Sequence, residues 1–250
     1  MKPATQLRLA VVTGAVLLVE ALCRTGVIPK FSMIPPSQMA VGLVKLLVSG
    51  DLAIHLRSTL VGVAIAAVGS VLVGFLAGSV LHALPRVRRA LDPLLATYYA
   101  IPIWVFYPLF VVLFGLNNIP KVIIGFLYAV VAMVINTLNG LDRVPPVLRK
   151  LARGYGMSAP ATAVLVILPS ATPYVFTGVK LAIAYSFIGV ISSEFILSAE
   201  GIGYRISFAY LSFDNTTLYA LILLLVVIVS AINLSLFAWE RALLQKRSPR

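Results

Sequence analysis

With one cysteine and eight acidic residues in 250, this chain is short of two kinds of chemistry. Cys23 alone can form neither an internal disulfide nor a thiolate metal cluster. The chain has no G-x-x-x-x-G-K-[ST] phosphate loop and no G-x-S-x-G nucleophile elbow. Its two histidines, His55 and His82, have no carboxylate at metal-ligand spacing. Nothing visible would hydrolyse ATP or another substrate, so the chain is not expected to be an enzyme by itself, nor to bind a cofactor. Charge of either sign is scarce, at 11% of residues, where a soluble domain carries about 25%.

What is abundant is apolar. Sixty per cent of residues are hydrophobic and mean hydropathy is +1.02. The apolar residues fall in runs long enough to cross a bilayer, which takes roughly 20 residues per helix. Six spans are expected, at about 7–23, 58–81, 93–116, 121–141, 169–195 and 215–239, in one membrane domain covering 1–250. The second is uncharged and carries Gly62, Gly69, Gly74 and Gly78, small residues that suit close helix approach in lipid. The third is broken by Pro93, Pro102 and Pro108. Glu20 and Arg24 stand where a signal peptidase site would need small residues, so the first span is expected to be retained.

The formal charge of +12 does not imply nucleic acid, because the basic residues punctuate the ends of apolar runs. With six spans and an inside amino terminus, thirteen of the twenty Lys and Arg fall on the inside and six outside. Lys180 is left within the fifth span, near enough to its inner end to snorkel. The positive-inside rule therefore puts both termini in the cytoplasm. Lys121 is counted in the outside group. Outside, Ser37–Val48 reads as a helix lying on the membrane surface, with Ser37 as its N-cap and Gly50 as its stop. Inside, the segment 142–168 is more apolar than a connector requires. Two short helices joined at Gly156 are expected there, because glycine accepts the left-handed backbone of a sharp helix end. Pro169 fits the first turn of the next helix, where a missing N–H costs nothing.

That inside segment reads Lys150-Leu151-Ala152-Arg153-Gly154-Tyr155-Gly156, then nine residues, then Val166-Ile167-Leu168-Pro169. It resembles the cytoplasmic EAA loop of ABC importer permeases, E-A-A-x3-G-x9-I-x-L-P. Ala152, Gly156, Leu168 and Pro169 match, and Val166 stands in for isoleucine. Lys150 and Leu151 depart from the pattern, a base occupying the place of the usual glutamate. The resemblance extends from Ile34-Pro35-Pro36 through Leu91-Asp92-Pro93, Pro108-Leu109 and Phe114-Gly115 to Gly201-Ile202-Gly203. It points to the permeases for nitrate, taurine and aliphatic sulfonates, a group that also serves pyrimidines, riboflavin and aromatic acids.

The resemblance implies an all-α inner-membrane permease fold. Its hairpin, with Lys150, Ala152, Arg153, Gly156, Leu168 and Pro169, would dock on a separate ATPase subunit. It further implies two ATPase subunits that hold ATP and Mg, a second permease copy, and a periplasmic or lipid-anchored solute-binding protein. An amphipathic loop resting on the bilayer is the alternative for the hairpin.

Candidates for the solute path follow from cost and chemistry. Glu194, an acid inside the fifth span, is expensive there and so a candidate; pairing with Arg205 or capping a helix would explain it equally well. Tyr98, Tyr99 and Trp104 surround the proline breaks and offer rings with polar tips. Asn136, Tyr185 and Ser186 offer neutral hydrogen bonds, with interhelical packing as the competing role. A secondary transporter would be expected to show inverted repeats and several buried acids, and an anchored assembly protein would have no use for the hairpin.

Overall fold

A computed structural model describes residues 3–245, and these are helical almost throughout, with no strand among them. Four helices are long and apolar enough to cross a membrane: α3 (Leu52–Ala83), α6 (Asn118–Asp142), α9 (Leu168–Ile196) with the short turns preceding it, and α11 (Asn215–Gln245). Two shorter pieces, Pro85–Ala100 and Ile103–Phe114, make a fifth span if counted together, but they meet at 83°. The first expected span lies within α1 (Pro3–Arg24), which is not counted with these. Of the basic residues used for orientation, Lys2, Lys246, Arg247 and Arg250 lie outside the described residues.

The centre is α6 packed along both α3 and α9. Small residues bring these axes together. A Cβ on Gly74 would stand 2.7 Å from that of Met133, and one on Gly78 would stand 2.7 Å from that of Thr137. Gly62 and Gly69 face only ordinary contacts, so half of the small-residue pattern of the second span is explained by close approach. Around this core, α2 (Pro36–Ser49) lies against α11, and α10 (Ile202–Leu211) bridges α9, α11 and α3.

The broken span has a local cause. α4 (Pro85–Thr97) carries Pro93 inside it, and a 3-10 turn over Tyr98–Ala100 runs into Pro102. A second such turn, Ile103–Phe106, then leads into α5 (Tyr107–Phe114). Proline supplies no N–H and disfavours helix in the residue before it, so the chain turns here.

Two helix boundaries correct the sequence expectation. Ser37 is not the cap of α2, because Pro35 precedes the helix and Ser37 lies in its first turn. Both its backbone N–H and its hydroxyl donate to Glu20 of α1, at 3.0 and 2.7 Å. Gly50 does end α2, at φ +79°. The second concerns the fifth span: its α-helix begins at Leu168 with Pro169 in the first turn, as expected, but further helical turns precede it. The helix runs unbroken from Ala159 to Ile196 through α8 (Ala159–Thr162) and a π turn at Ala163–Ile167. Within that turn Leu168 N–H reaches back to Ala163 O, one residue further than an α-helix would reach. The ladder opens just before a proline that has no N–H to give it.

Candidate functional site

The hairpin is one helix and a corner leading directly into the long α8–α9 rod, rather than two short helices. α7 (Pro146–Gly154) ends in a Schellman motif: Met157 N–H bonds Ala152 O at 3.0 Å and Gly156 N–H bonds Arg153 O at 3.0 Å. Gly156 holds the left-handed position at φ +68°, and a Cβ there would meet no atom within 4 Å. Ala152 is buried against the bundle. On the other face Val147, Leu151 and Tyr155 stand one turn apart and exposed, Tyr155 at 84%, with Lys150 and Arg153 also exposed. Leu168 and Pro169 lie on the rod behind the corner. Three apolar side chains aligned in the open, flanked by two cations, form a surface suited to a protein partner.

The same end of the bundle carries ionic ties. Arg88 of α4 grips Asp142 with two hydrogen bonds of 2.9 and 2.7 Å. His82 Nδ1 stands 3.1 Å from the same carboxylate, and Arg149 Nη2 stands 3.1 Å from His82 Nε2.

Midway, an aromatic group joins the bent span to α9. Tyr99 stacks on Tyr185 with centroids 5.3 Å apart, Tyr98 meets Tyr99 edge-on at 5.7 Å, and Tyr98 donates to Leu127 O at 2.8 Å. Tyr99 and Trp104 remain 41% and 43% exposed. Asn136 turns its amide onto Ala132 O of its own helix at 2.8 Å, with its Cβ over Gly178 of α9. Ser186 is fully buried and its hydroxyl has no hydrogen-bond partner. The sequence candidates therefore divide into an open aromatic cluster and two residues at helix crossings, Asn136 half-buried and Ser186 enclosed.

Glu194 lies at the far end, only 1% exposed, and its partner is not Arg205. Lys121 Nζ, 0% exposed, donates to Glu194 Oε1 at 2.8 Å and to Ser58 Oγ at 2.8 Å. Thr59 donates to the same carboxylate at 2.7 Å and accepts from Ile202 N–H at 2.8 Å, while Gly203 N–H bonds Oε2 at 3.1 Å. Gly201, at φ +115°, lies so close that a Cβ would stand 2.1 Å from the carboxyl carbon. Lys121 is thus buried in an ion pair rather than exposed at a helix end, and it ties α6 to α3 and α9. Lys180, too, has a partner rather than simply snorkelling: it donates to Glu240 of α11 at 2.7 Å. Two opposite charges ending apolar windows 73 residues apart were the signal available for the first pair.

The described residues form an all-helical bundle, with four helices long and apolar enough to cross a membrane and an exposed hairpin between two of them. The family model for the binding-protein-dependent transport system inner membrane component matches residues 70–249. The chain belongs to that family, and it is the non-enzymatic permease subunit of an ABC importer whose ATPase is a separate subunit. It is 27% identical over 189 residues to the taurine transport system permease protein TauC of Escherichia coli (strain K12), covering 76% of this chain and 69% of that one. It is 29% identical over 189 residues to the nitrate import permease protein NrtB of Leptolyngbya laminosa, covering 75% and 64%. Among solved structures, the inward-facing methionine ABC transporter MetNI superposes with a TM-score of 0.64 at 18% identity, over 75% of this chain and 94% of that chain.

Proposed function

We propose that two copies of this chain form the pathway of an importer for a small solute of the sulfonate, taurine or nitrate kind, with pyrimidines, riboflavin and aromatic acids as the wider range. The observation that carries this reading is the hairpin, whose buried Ala152 and open Val147–Leu151–Tyr155 stripe turn an apolar face toward a soluble partner. Two ATPase subunits holding ATP and Mg dock there, and a periplasmic or lipid-anchored binding protein delivers solute to the opposite end. α1 and the bent α4–α5 segment complete six spans, both termini are cytoplasmic, and α2 lies on the outer surface. The basic residues, thirteen inside against six outside, support this orientation. Closure of the ATPases on ATP draws the hairpins together and opens the spans outward; hydrolysis resets them.

Co-expression with a cognate ABC ATPase subunit should yield a purified complex holding two permease chains and two ATPase chains. Solute uptake by this chain alone, driven by an ion gradient, would defeat the reading. The topology has its own measurement. A single cysteine at the exposed Ser158, in a Cys23→Ser background, should resist impermeant maleimide in intact spheroplasts and react once the membrane is opened.

Tyr98, Tyr99, Trp104 and Tyr185 are the side chains proposed to meet solute, because they are the candidate rings that combine a polar tip with partial exposure. Asn136, Ser186 and Glu194 serve instead at helix crossings. Tyr99→Ala removes a stacked pair worth about 1 kcal/mol, so assembly should survive while uptake by the reconstituted importer falls several-fold. Unchanged uptake would remove the cluster from the path.

A further inference from the structure

We propose that Arg149, His82, Asp142 and Arg88 form a relay that carries hairpin movement to the bent span, making His82 and Arg149 positioning residues for transport. The inference rests on the reading that the hairpin docks an ATPase. α7 is joined to α6 by the chain itself, through the three residues after Asp142, but its tie to α3 and α4 must be made by side chains. Arg149 is the α7 side chain that reaches across, donating to His82 Nε2 at 3.1 Å and to Leu141 O at 3.2 Å.

The direction of each bond follows from the groups. A guanidinium only donates, so His82 Nε2 accepts, and the ring proton must sit on Nδ1, facing Asp142 Oδ1 at 3.1 Å. The imidazole is thus held between a cation and an anion, with one nitrogen assigned to each. Asp142 passes the link on to Arg88 through the bidentate pair at 2.9 and 2.7 Å, a geometry that resists shear better than a single bond. Arg88 lies on α4, whose far end runs into the 3-10 turn bearing Tyr98 and Tyr99. A displacement of α7 therefore has a continuous polar connection through α3 and α6 to the segment that carries the aromatic cluster. Breaking it at His82 leaves the exposed docking face of α7 untouched.

The test uses the complex with its ATPase in nanodiscs, with a single cysteine at Ile101, exposed at the bend, in a Cys23→Ser background. The rate of maleimide labelling is compared without nucleotide and with ATP and vanadate. The original relay should give a several-fold change in rate. His82→Leu and Arg149→Gln should each abolish the change while ATPase remains bound and hydrolyses ATP. His82→Gln, which has a donor and an acceptor on one amide, should restore it. The double variant should be no worse than either single one, because both break the same bond. An undiminished change in His82→Leu, additive effects in the double variant, or no nucleotide response with the relay intact would each overturn the proposal. If the chain with the relay intact retains no ATPase at all, the docking reading fails instead, and the two failures are told apart by that first measurement.

Discussion

Lys121→Met should destabilise the permease by about 3–5 kcal/mol, the usual cost of leaving one member of a buried ion pair alone. Lys121 and Glu194 are both sealed from solvent, and their 2.8 Å contact lies among helices rather than at a rim. Met fills the space of the lysine stem but returns no charge, so the carboxylate keeps only Thr59 and the Gly203 N–H. Those neutral donors cannot balance a full charge in a water-free setting. Glu194→Gln should fail for the mirror-image reason, stranding an ammonium beside Ser58. The double variant Lys121→Met/Glu194→Leu should recover part of the loss, because an apolar pair of similar volume often substitutes for a buried salt bridge. Recovery stays partial, since Thr59 and Gly203 N–H then lose their acceptor. The measurement is thermal unfolding of the detergent-purified protein, read as loss of the monodisperse fraction. A melting curve for Lys121→Met matching that of the unaltered protein would show that the pair does not hold the bundle.

The reason for retaining so costly a pair lies in what it joins. Four elements meet at the carboxylate: α3 through Thr59, α6 through Lys121, α9 through Glu194 itself, and α10 through the Gly201–Gly203 backbone. Apolar packing alone could let α10 slide on the ends of the spans, whereas the Ile202 and Gly203 N–H bonds to Thr59 and Glu194, themselves held by each other and by Lys121, fix its register. Residue types there follow from that geometry. Gly201 must lack a side chain because the carboxyl group occupies the place of its Cβ, and Thr59 must both donate and accept.

Legibility in the sequence followed the range of the interaction. The corner at Gly156, the stop at Gly50 and the break near Pro102 were readable because each is decided within a few residues by backbone chemistry. The apolar windows located α3, α6 and α11 for the same reason: composition over about 20 residues decides insertion. The pairing of Lys121 was not legible, because an ammonium at the edge of an apolar run looks the same whether it faces water or a carboxylate 73 residues later. His82 and Arg149, 67 apart, carried no local signal either. Pro169 does stand in the first turn of α9, but the helical turns before it were not legible. Its missing N–H marks a helix start in most contexts, but here a π turn absorbs the defect and the helix passes through.

Gly156→Asp should leave membrane insertion and folding nearly intact while removing most ATPase binding or uncoupling hydrolysis from uptake. The spans are untouched, and the corner itself has room, since a Cβ there would meet nothing within 4 Å of its own chain. The intrinsic penalty is the left-handed backbone at φ +68°, on the order of 1 kcal/mol for a residue with a side chain, and aspartate is among the side chains that tolerate it best. A penalty of that size frays the last turn of α7 without unfolding a bundle of long helices. Any larger loss must therefore arise where a partner occupies the open space, because only there do the added bulk and charge meet something. The position of the charge sharpens the expectation. Lys150 and Arg153 are exposed beside Leu151 and Tyr155, so a docking groove complementary to this face carries acidic groups, which a new aspartate would repel. Lys150→Glu, which restores the residue usual at that place in related loops, should weaken docking here for the same reason. Membranes carrying each variant would be compared with unaltered ones for retained ATPase and for solute uptake. Normal values of both for Gly156→Asp would mean that no partner approaches the corner, and the coupling role of the hairpin would fall with it.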